Sequence, residues 1–484
     1  MELIIIPIIA GLIAAFTGKW SKWVALLGSL AGLAIVALWL QKFNPDGTFN
    51  FVQSRPWFGN GIWFKTGADG ISMLLLLLTN IVCPLILIVA SNKSNEDKPS
   101  LFGLIVGMQG ALNGVFLAMD GMMFYIFWEL ALIPIYFICA LWGEGNRFKT
   151  TLKFFIYTFI GSLAMLCSLI FLYSKMPDGA ATFDIQALQN VSLTQTQAIW
   201  VGLGILLAFA VKIPLLPLHS WQSDTYTEAP TSGSMLLSAI MLKMGLYGLI
   251  RWFFPLVPEA YHIYAPIIMG AAVAGVLYGA IIAIRQQDMK RLIAFSSLSH
   301  VGLIAAGIAT LNYTGVQGAL IQMFNHGINV LGLFLVVDVI QQRAGTRDLG
   351  QLGGIAKQAP LFAVAFMMVM LATSAVPFTN GFPGELLLLK GIFTANAVWG
   401  VFAGLTIILC AVYMFRMYQF SMFGTEKNGV YLFPDLNMRE ILVFGVLVAL
   451  IIGIGVFPQW MLDLTGPSVK KTLEIIENTV GVIA

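Results

Sequence analysis

Charge is scarce in this chain. Only 10% of its 484 residues are Asp, Glu, Lys or Arg, 58% are hydrophobic, and the mean hydropathy is +0.86. A soluble domain of this size carries far more charge, so the composition points to a polytopic membrane protein. The formal charge of +3 is small and dispersed, which excludes a nucleic-acid footprint. Cysteine is scarce as well. Cys83, Cys139, Cys167 and Cys410 stand apart in apolar runs, which argues against a disulfide framework, a zinc site or an iron–sulfur cluster. No metal site is expected. A basic leader is also missing: Met1–Thr17 is apolar without a charged n-region, and reads as a first span rather than a cleaved signal.

What the chain does have is long apolar runs. A hydrocarbon core needs roughly 20 apolar residues per helix. On that rule the sequence predicts an all-α membrane protein of fourteen spans, near 2–18, 22–40, 70–91, 100–119, 121–142, 153–174, 198–218, 229–253, 262–284, 291–309, 314–340, 359–393, 396–421 and 440–463. The longest linker, Gln41–Asp69, fits a small exposed turn or hairpin. Two spans are interrupted. Pro214 and Pro217 follow Lys212 in the seventh, and Pro377, Gly381, Pro383 and Gly384 lie in the overlong twelfth. The breaks lie five spans apart, so two five-helix repeats, spans 4–8 (100–253) and 9–13 (262–421), would be inverted within one polytopic domain, 1–484. Interrupted helices in matching positions are a sequence pointer to a transport site.

Loop charge sets the expected orientation. With both termini on one side, that side holds Lys42, Arg55, Lys65, Lys175, Arg251, Lys470 and Lys471. The opposite side holds most of the other basic residues, among them Lys19, Lys22, Lys93, Lys98, Arg147, Lys290, Arg291, Arg343, Arg347 and Lys427. The richer side should be cytoplasmic and both termini outside. The basic loops fit a bacterial plasma membrane.

Six titratable residues fall near the middle of spans: Glu129, Lys212, Lys243, His300, His326 and Glu385. At ~1.5 Å of rise per residue all six lie near one plane at mid-depth. Four are Lys or Glu, and leaving them unpaired in lipid would cost on the order of 10 kcal/mol. They must therefore face one another and water. Such a row suits a proton relay, with Glu129–Lys212 as the switching pair, Lys243 and the histidines as carriers, and Glu385 as the end. The bland readings are a static packing pair for Glu129 and Lys212 and satisfied core histidines for His300 and His326. Lys390 is expected to snorkel to an interface. His219 and His262 lie at helix ends, and His219 with Asp224 and Glu228 is a weaker candidate for a proton entrance. For Asp338, near the end of its span, a surface role is the alternative.

The segment LAFAVKIPLLPLHSWQSDTYTEAPTSGSMLLSAIMLKMGLYGLIR resembles the core signature of the antiporter-like membrane subunits of respiratory complex I, NADH:quinone oxidoreductase. FYIFWELALIPIYFI, QQDMKRLIAFSSLSHVGLI and FNHGINVLGLFLVVDVI resemble further blocks of that family, in its order and spacing. GFPGE, with Glu385, is similar to the subunit M (chain 4) branch, where the L and N branches and the sodium/proton antiporter homologues typically place lysine. The resemblance implies a proton-translocating membrane-arm subunit with Glu129, Lys212, Lys243, His300, His326 and Glu385 as its relay. It implies L-like and N-like neighbours in a hetero-oligomer within the lipid bilayer. It also implies no cofactor in this chain, with NADH, FMN, iron–sulfur clusters and quinone on partner subunits. The chain fits, having no Gly-rich dinucleotide fingerprint after a strand. The alternatives are a subunit of a multisubunit Na+/H+ (Mrp-type) antiporter or of a membrane-bound hydrogenase, or a structural spacer that conducts nothing.

Overall fold

A computed structural model of the chain describes every residue except 60, 92–97, 178–180, 426–431 and 482–484, and the backbone alone at 479–481. Lys93 and Lys427, two of the loop charges above, lie outside the described residues. Among those described, twelve helices are long and apolar enough to cross a membrane, from Gly18–Lys42 to Met438–Val456. Two further apolar helices, Glu2–Phe16 and Pro360–Thr373, are shorter than that length. They occupy the places of the expected first span and of the first half of the twelfth.

Three spans form the centre. The apolar stretches of Thr231–Leu256, Met289–Ala309 and Tyr313–Ala344 are buried throughout. These same helices carry Lys243, His300 and His326. The outer spans instead turn large apolar side chains outward, such as Ile156, Ile160, Trp200, Leu203, Ile267 and Ile281. Apolar outside and polar at the centre is the arrangement a lipid solvent selects, because buried polar groups can be satisfied only by one another.

Close packing in the N-terminal region depends on missing side chains. Glu2–Phe16 lies against Pro99–Leu117 with Gly11 and Gly103 facing each other. A Cβ on Gly103 would sit 2.6 Å from the Gly11 carbonyl oxygen, and one on Gly11 2.7 Å from that of Gly103. Small residues let membrane helices approach backbone to backbone. Gly103→Leu is expected to cost on the order of 2–3 kcal/mol by overpacking, read as a lower midpoint of heat-induced unfolding in detergent.

Both expected helix breaks are present, with the same local chemistry. Gln195–Lys212 stops before Pro214, and Gln222–Glu228 resumes beyond it. Leu215 N–H reaches back five residues to the Ala210 carbonyl at 2.9 Å. The Val211 carbonyl, left without its helical donor, accepts the Trp221 indole N–H at 2.9 Å. In the twelfth region Pro360–Thr373 stops and Gly381–Ala395 resumes. There Val376 N–H reaches back five residues to the Leu371 carbonyl at 3.1 Å.

The spans are all helical, and the one pair of strands among the described residues lies in the linker expected to form a turn or hairpin. The linker after the second span is an antiparallel hairpin of two strands, Asn50–Gly59 and Ile62–Ala68. Its Phe51 ring stacks on Trp39 with centroids 4.5 Å apart. The expected last span, 440–463, is too long. The helix ends at Val456, Pro458 intervenes, and a separate helix, Gln459–Gly481, follows. Its Ser468 hydroxyl accepts the Gly70 N–H at 2.9 Å, docking it at the start of Gly70–Ala90.

Candidate functional site

The most connected part of the polar centre runs from Lys243 to Glu385. Lys243 is fully buried in Leu242–Gly248, between two π-helical turns, Leu237–Met241 and Leu249–Phe253. A π-turn widens the helix and puts backbone carbonyls out of register with their usual donors. The Lys243 ammonium uses this by donating to the Ser238 carbonyl at 2.6 Å, while Nζ stands 2.8 Å from His326 Nδ1. On its other side His326 Nε2 is 3.1 Å from the Ser297 hydroxyl. The His326 and His300 rings follow, centroids 6.1 Å apart.

His300 closes the file. Its Nδ1 is 3.1 Å from Glu385 Oε1, and its Nε2 is 3.4 Å from both the Tyr413 hydroxyl and the Cys410 sulfur. Gln322 Nε2 donates to the same Glu385 oxygen at 3.4 Å. Glu385 sits just beyond the first turn of Gly381–Ala395, near the positive end of that half-helix. Between the two histidines lies a cavity of about 10 Å³, lined by Ser296, Ser297, His300, Gln322, His326 and Asn329 among others. That is about the space one water molecule needs. Gln322 Oε1 and Asn329 Oδ1 are buried beside it with no protein partner. A polar, roomy gap with free acceptors is where a bridging water is stable.

Lys212 and Glu129 are arranged differently. Lys212 is the last residue of Gln195–Lys212, at the negative end of that half-helix, where a cation is favoured. It is 1% exposed, yet its Nζ has no hydrogen-bond partner. It stands 5.2 Å from the Trp128 ring centroid and 5.9 Å from that of Phe154. Glu129 is the next residue after Trp128. It is only half-buried, and its Oε1 is buried without a partner. No ion pair within 4.0 Å joins Glu129 to Lys212 among the described residues. The switching pair is thus two neighbours with a gap between their charged ends. Lys212 and Lys243 stand on directly packed segments: a Cβ on Gly245 would meet the Phe209 carbonyl at 3.1 Å.

The remaining sequence candidates divide. Lys390 and His262 are exposed. His219 packs edge-on to Tyr278, centroids 4.9 Å apart. Asp224 is occupied by Lys153 at 3.1 Å and Arg291 at 3.7 Å. The surface alternative for Asp338 is corrected, since it is 3% exposed and accepts the Thr231 hydroxyl at 2.6 Å. Two supposed loop cations are also buried. Lys290 donates to the Ala229 carbonyl at 2.9 Å, and Arg251 pairs with Asp69 at 2.5 Å. Tyr413, Ser297 and Gln322 are not singled out by the sequence, and Cys410 is noted there only as an isolated cysteine. Uncharged residues in apolar helices give little sign of their role until the helices are packed.

Residues 118–411 match the family model described as NADH:quinone oxidoreductase/Mrp antiporter, transmembrane. NADH-quinone oxidoreductase subunit M of Rhodobacter capsulatus is 35% identical over 96% of this chain and 92% of its own length. F(420)H(2) dehydrogenase subunit M of Methanosarcina mazei is 38% identical over 96% of this chain and 95% of its own. A chain of respiratory complex I from Thermus thermophilus superposes with a TM-score of 0.91 at 29% identity, covering 98% of this chain and all of that one. A chain of the Mrp complex from Dietzia sp. shares the fold, with a TM-score of 0.88 at 20% identity over 98% of both chains. With a family match over more than half its length and full-length relatives above 30% identity, the chain belongs to the NADH:quinone oxidoreductase/Mrp antiporter transmembrane family, as a subunit M-type member.

Proposed function

We propose that this chain is a proton-translocating membrane-arm subunit of an NADH:quinone oxidoreductase complex. The observation that carries the reading is the buried contact series Lys243–His326–Ser297 and His300–Glu385, with one water-sized gap inside an otherwise apolar bundle. Each member can accept and release a proton or orient one that does, and each lies within hydrogen-bond or one-water reach of the next. Glu129 and Lys212 extend the row. Their charged ends, with Lys212 Nζ and Glu129 Oε1 without partners, suit a switch set by a neighbour's charge, because a loose pair responds to an outside field more than a closed one does. The half-exposed Glu129 is the member of the row open to a neighbouring subunit.

The finer parts of the reading rest on further support. The five-residue reach-back bonds at both breaks favour two inverted repeats, 100–253 and 262–421. Loop charge favours a bacterial plasma membrane with both termini outside. NADH, FMN, iron–sulfur clusters and quinone belong on partner subunits, and the neighbours in the arm are L-like and N-like chains. The 38% identity to an F(420)H(2) dehydrogenase subunit favours a second reading that differs only in the electron donor.

Purification of the complex around this chain tests both readings. The expected result is co-purifying flavin and iron–sulfur subunits, with donor-driven quinone reduction that acidifies one side of closed vesicles. Oxidation of NADH supports the first donor and oxidation of reduced F420 the second. Sodium-dependent proton exchange without any redox partner would sink both in favour of an Mrp-type antiporter.

A further inference from the structure

A second polar group lies on the same helix as Lys243, outside the relay. Tyr247 and Arg251 follow Lys243 at four-residue steps, Arg251 inside the π-helical turn Leu249–Phe253 with its guanidinium 5.8 Å from the Tyr247 ring centroid. Two turns carry that line roughly 12 Å toward the hairpin side. Both side chains are buried. The Tyr247 hydroxyl is 3.3 Å from the Ser72 hydroxyl. The Ser72 N–H donates to Asp69 Oδ1 at 3.0 Å, and Asp69 Oδ2 holds Arg251 at 2.5 Å. Beyond this pair opens a pocket of about 370 Å³ between the hairpin, the 185–189 turn and the C-terminal helix. Thr48, Lys65, Asp69, Gln186, Arg251 and Lys471 are among its lining residues. A buried charge pair is expensive to keep unless it has a use beyond packing. This one has Arg251 on the same helix as Lys243 and lines that pocket.

We infer that Tyr247, Ser72 and the Asp69–Arg251 pair form the outward gate through which protons leave the relay into the pocket under the hairpin. The inference rests on the proton-translocating reading above. In the step, the Tyr247 hydroxyl, which otherwise donates to the Phe116 carbonyl at 3.3 Å, accepts a proton arriving from the Lys243 side and turns to give up its own to Ser72. Ser72, whose own bond to Asp69 is made by its backbone N–H, passes one through a water to the Asp69 carboxylate, which releases it to the pocket. No electron moves and no other bond breaks. Arg251 supplies a fixed positive charge beside that carboxylate, an electrostatic barrier that slows proton passage in either direction when the relay is at rest. Its stacking beside Phe49 and Tyr247, at 5.0 and 5.8 Å from their ring centroids, holds that charge in place.

The test uses the intact complex in closed vesicles, with assembly checked on native gels. Tyr247→Phe is expected to lose protons released per electron, by the same amount as Lys243→Met. Should Tyr247→Phe fail to assemble, Ser72→Ala removes only the far hydroxyl and carries the same test. Arg251→Met is expected to speed the collapse of an imposed pH gradient at least fivefold without turnover, and Arg251→Lys to restore the slow collapse. A purely packing role would not give that rescue in a leak assay. Wild-type proton yield in the hydroxyl variants and a wild-type leak in Arg251→Met, with Lys243→Met defective, would overturn the gate and leave the relay standing. Wild-type yield in Lys243→Met would overturn the relay itself.

Discussion

Lys212→Met is expected to lower coupled quinone reduction at least tenfold while leaving the complex assembled and no less stable to heat. The two halves of that expectation have separate causes. Lys212 is 1% exposed, with no hydrogen-bond partner and, among the described residues, no ion pair within 4.0 Å; the nearby Trp128 and Phe154 rings and the carbonyl end of its half-helix offset the burial of its charge only in part. Cation–π contact is worth about 2 kcal/mol when desolvated, whereas an unpaired buried ion costs several. An apolar side chain of similar length should therefore be neutral or stabilising in that site. A residue that lowers stability where it stands is kept for what its charge does. Native gels and thermal unfolding read the structural half, and donor-driven quinone reduction reads the other. Full turnover in an assembled Lys212→Met complex would defeat the relay, and loss of assembly would favour the spacer reading.

Much of this site was legible because membrane insertion penalises charge so heavily. Every Lys or Glu placed inside an apolar run had to be accounted for, and Lys212, Lys243, Glu129 and Glu385 were found on that ground alone. The helix breaks were legible for a similar reason, since Pro214 and Pro377 cannot donate to a helix. Side-chain pairing was not legible. The sequence named Glu129 and Lys212 as a switching pair without saying how close their ends stand; the fold leaves them apart with Trp128 beside the gap. Counting loop charges assigned Arg251 and Lys290 to water because each lies near a span end. Burial there is decided by tertiary partners, Asp69 for one and the Ala229 carbonyl for the other, and these are distant in sequence. The C-terminal helix Gln459–Gly481 was missed because it carries too much charge to read as a span.

Glu385→Gln isolates the charge at the other end of the row. Glutamine keeps the length and planar shape of glutamate, and its carbonyl can still accept from Gln322 and meet His300. What is lost is the negative charge and the capacity to take up a proton. His300 makes its 3.1 Å contact with Glu385 in a site where both are at most 4% exposed, so little solvent is available to replace the carboxylate. Coupled turnover is expected to fall at least fivefold. The fall should be smaller in Glu385→Asp, which keeps the charge but withdraws it by about one methylene. Assembly should be unchanged in both, since a neutral amide is cheaper to bury than a carboxylate. The ordering wild type, then Asp, then Gln is what a charge-carrying end group requires. If hydrogen bonding alone mattered the order would reverse, because glutamine preserves the geometry that aspartate loses. Turnover of the two variants in the same membranes, normalised to assembled complex, decides between these orders.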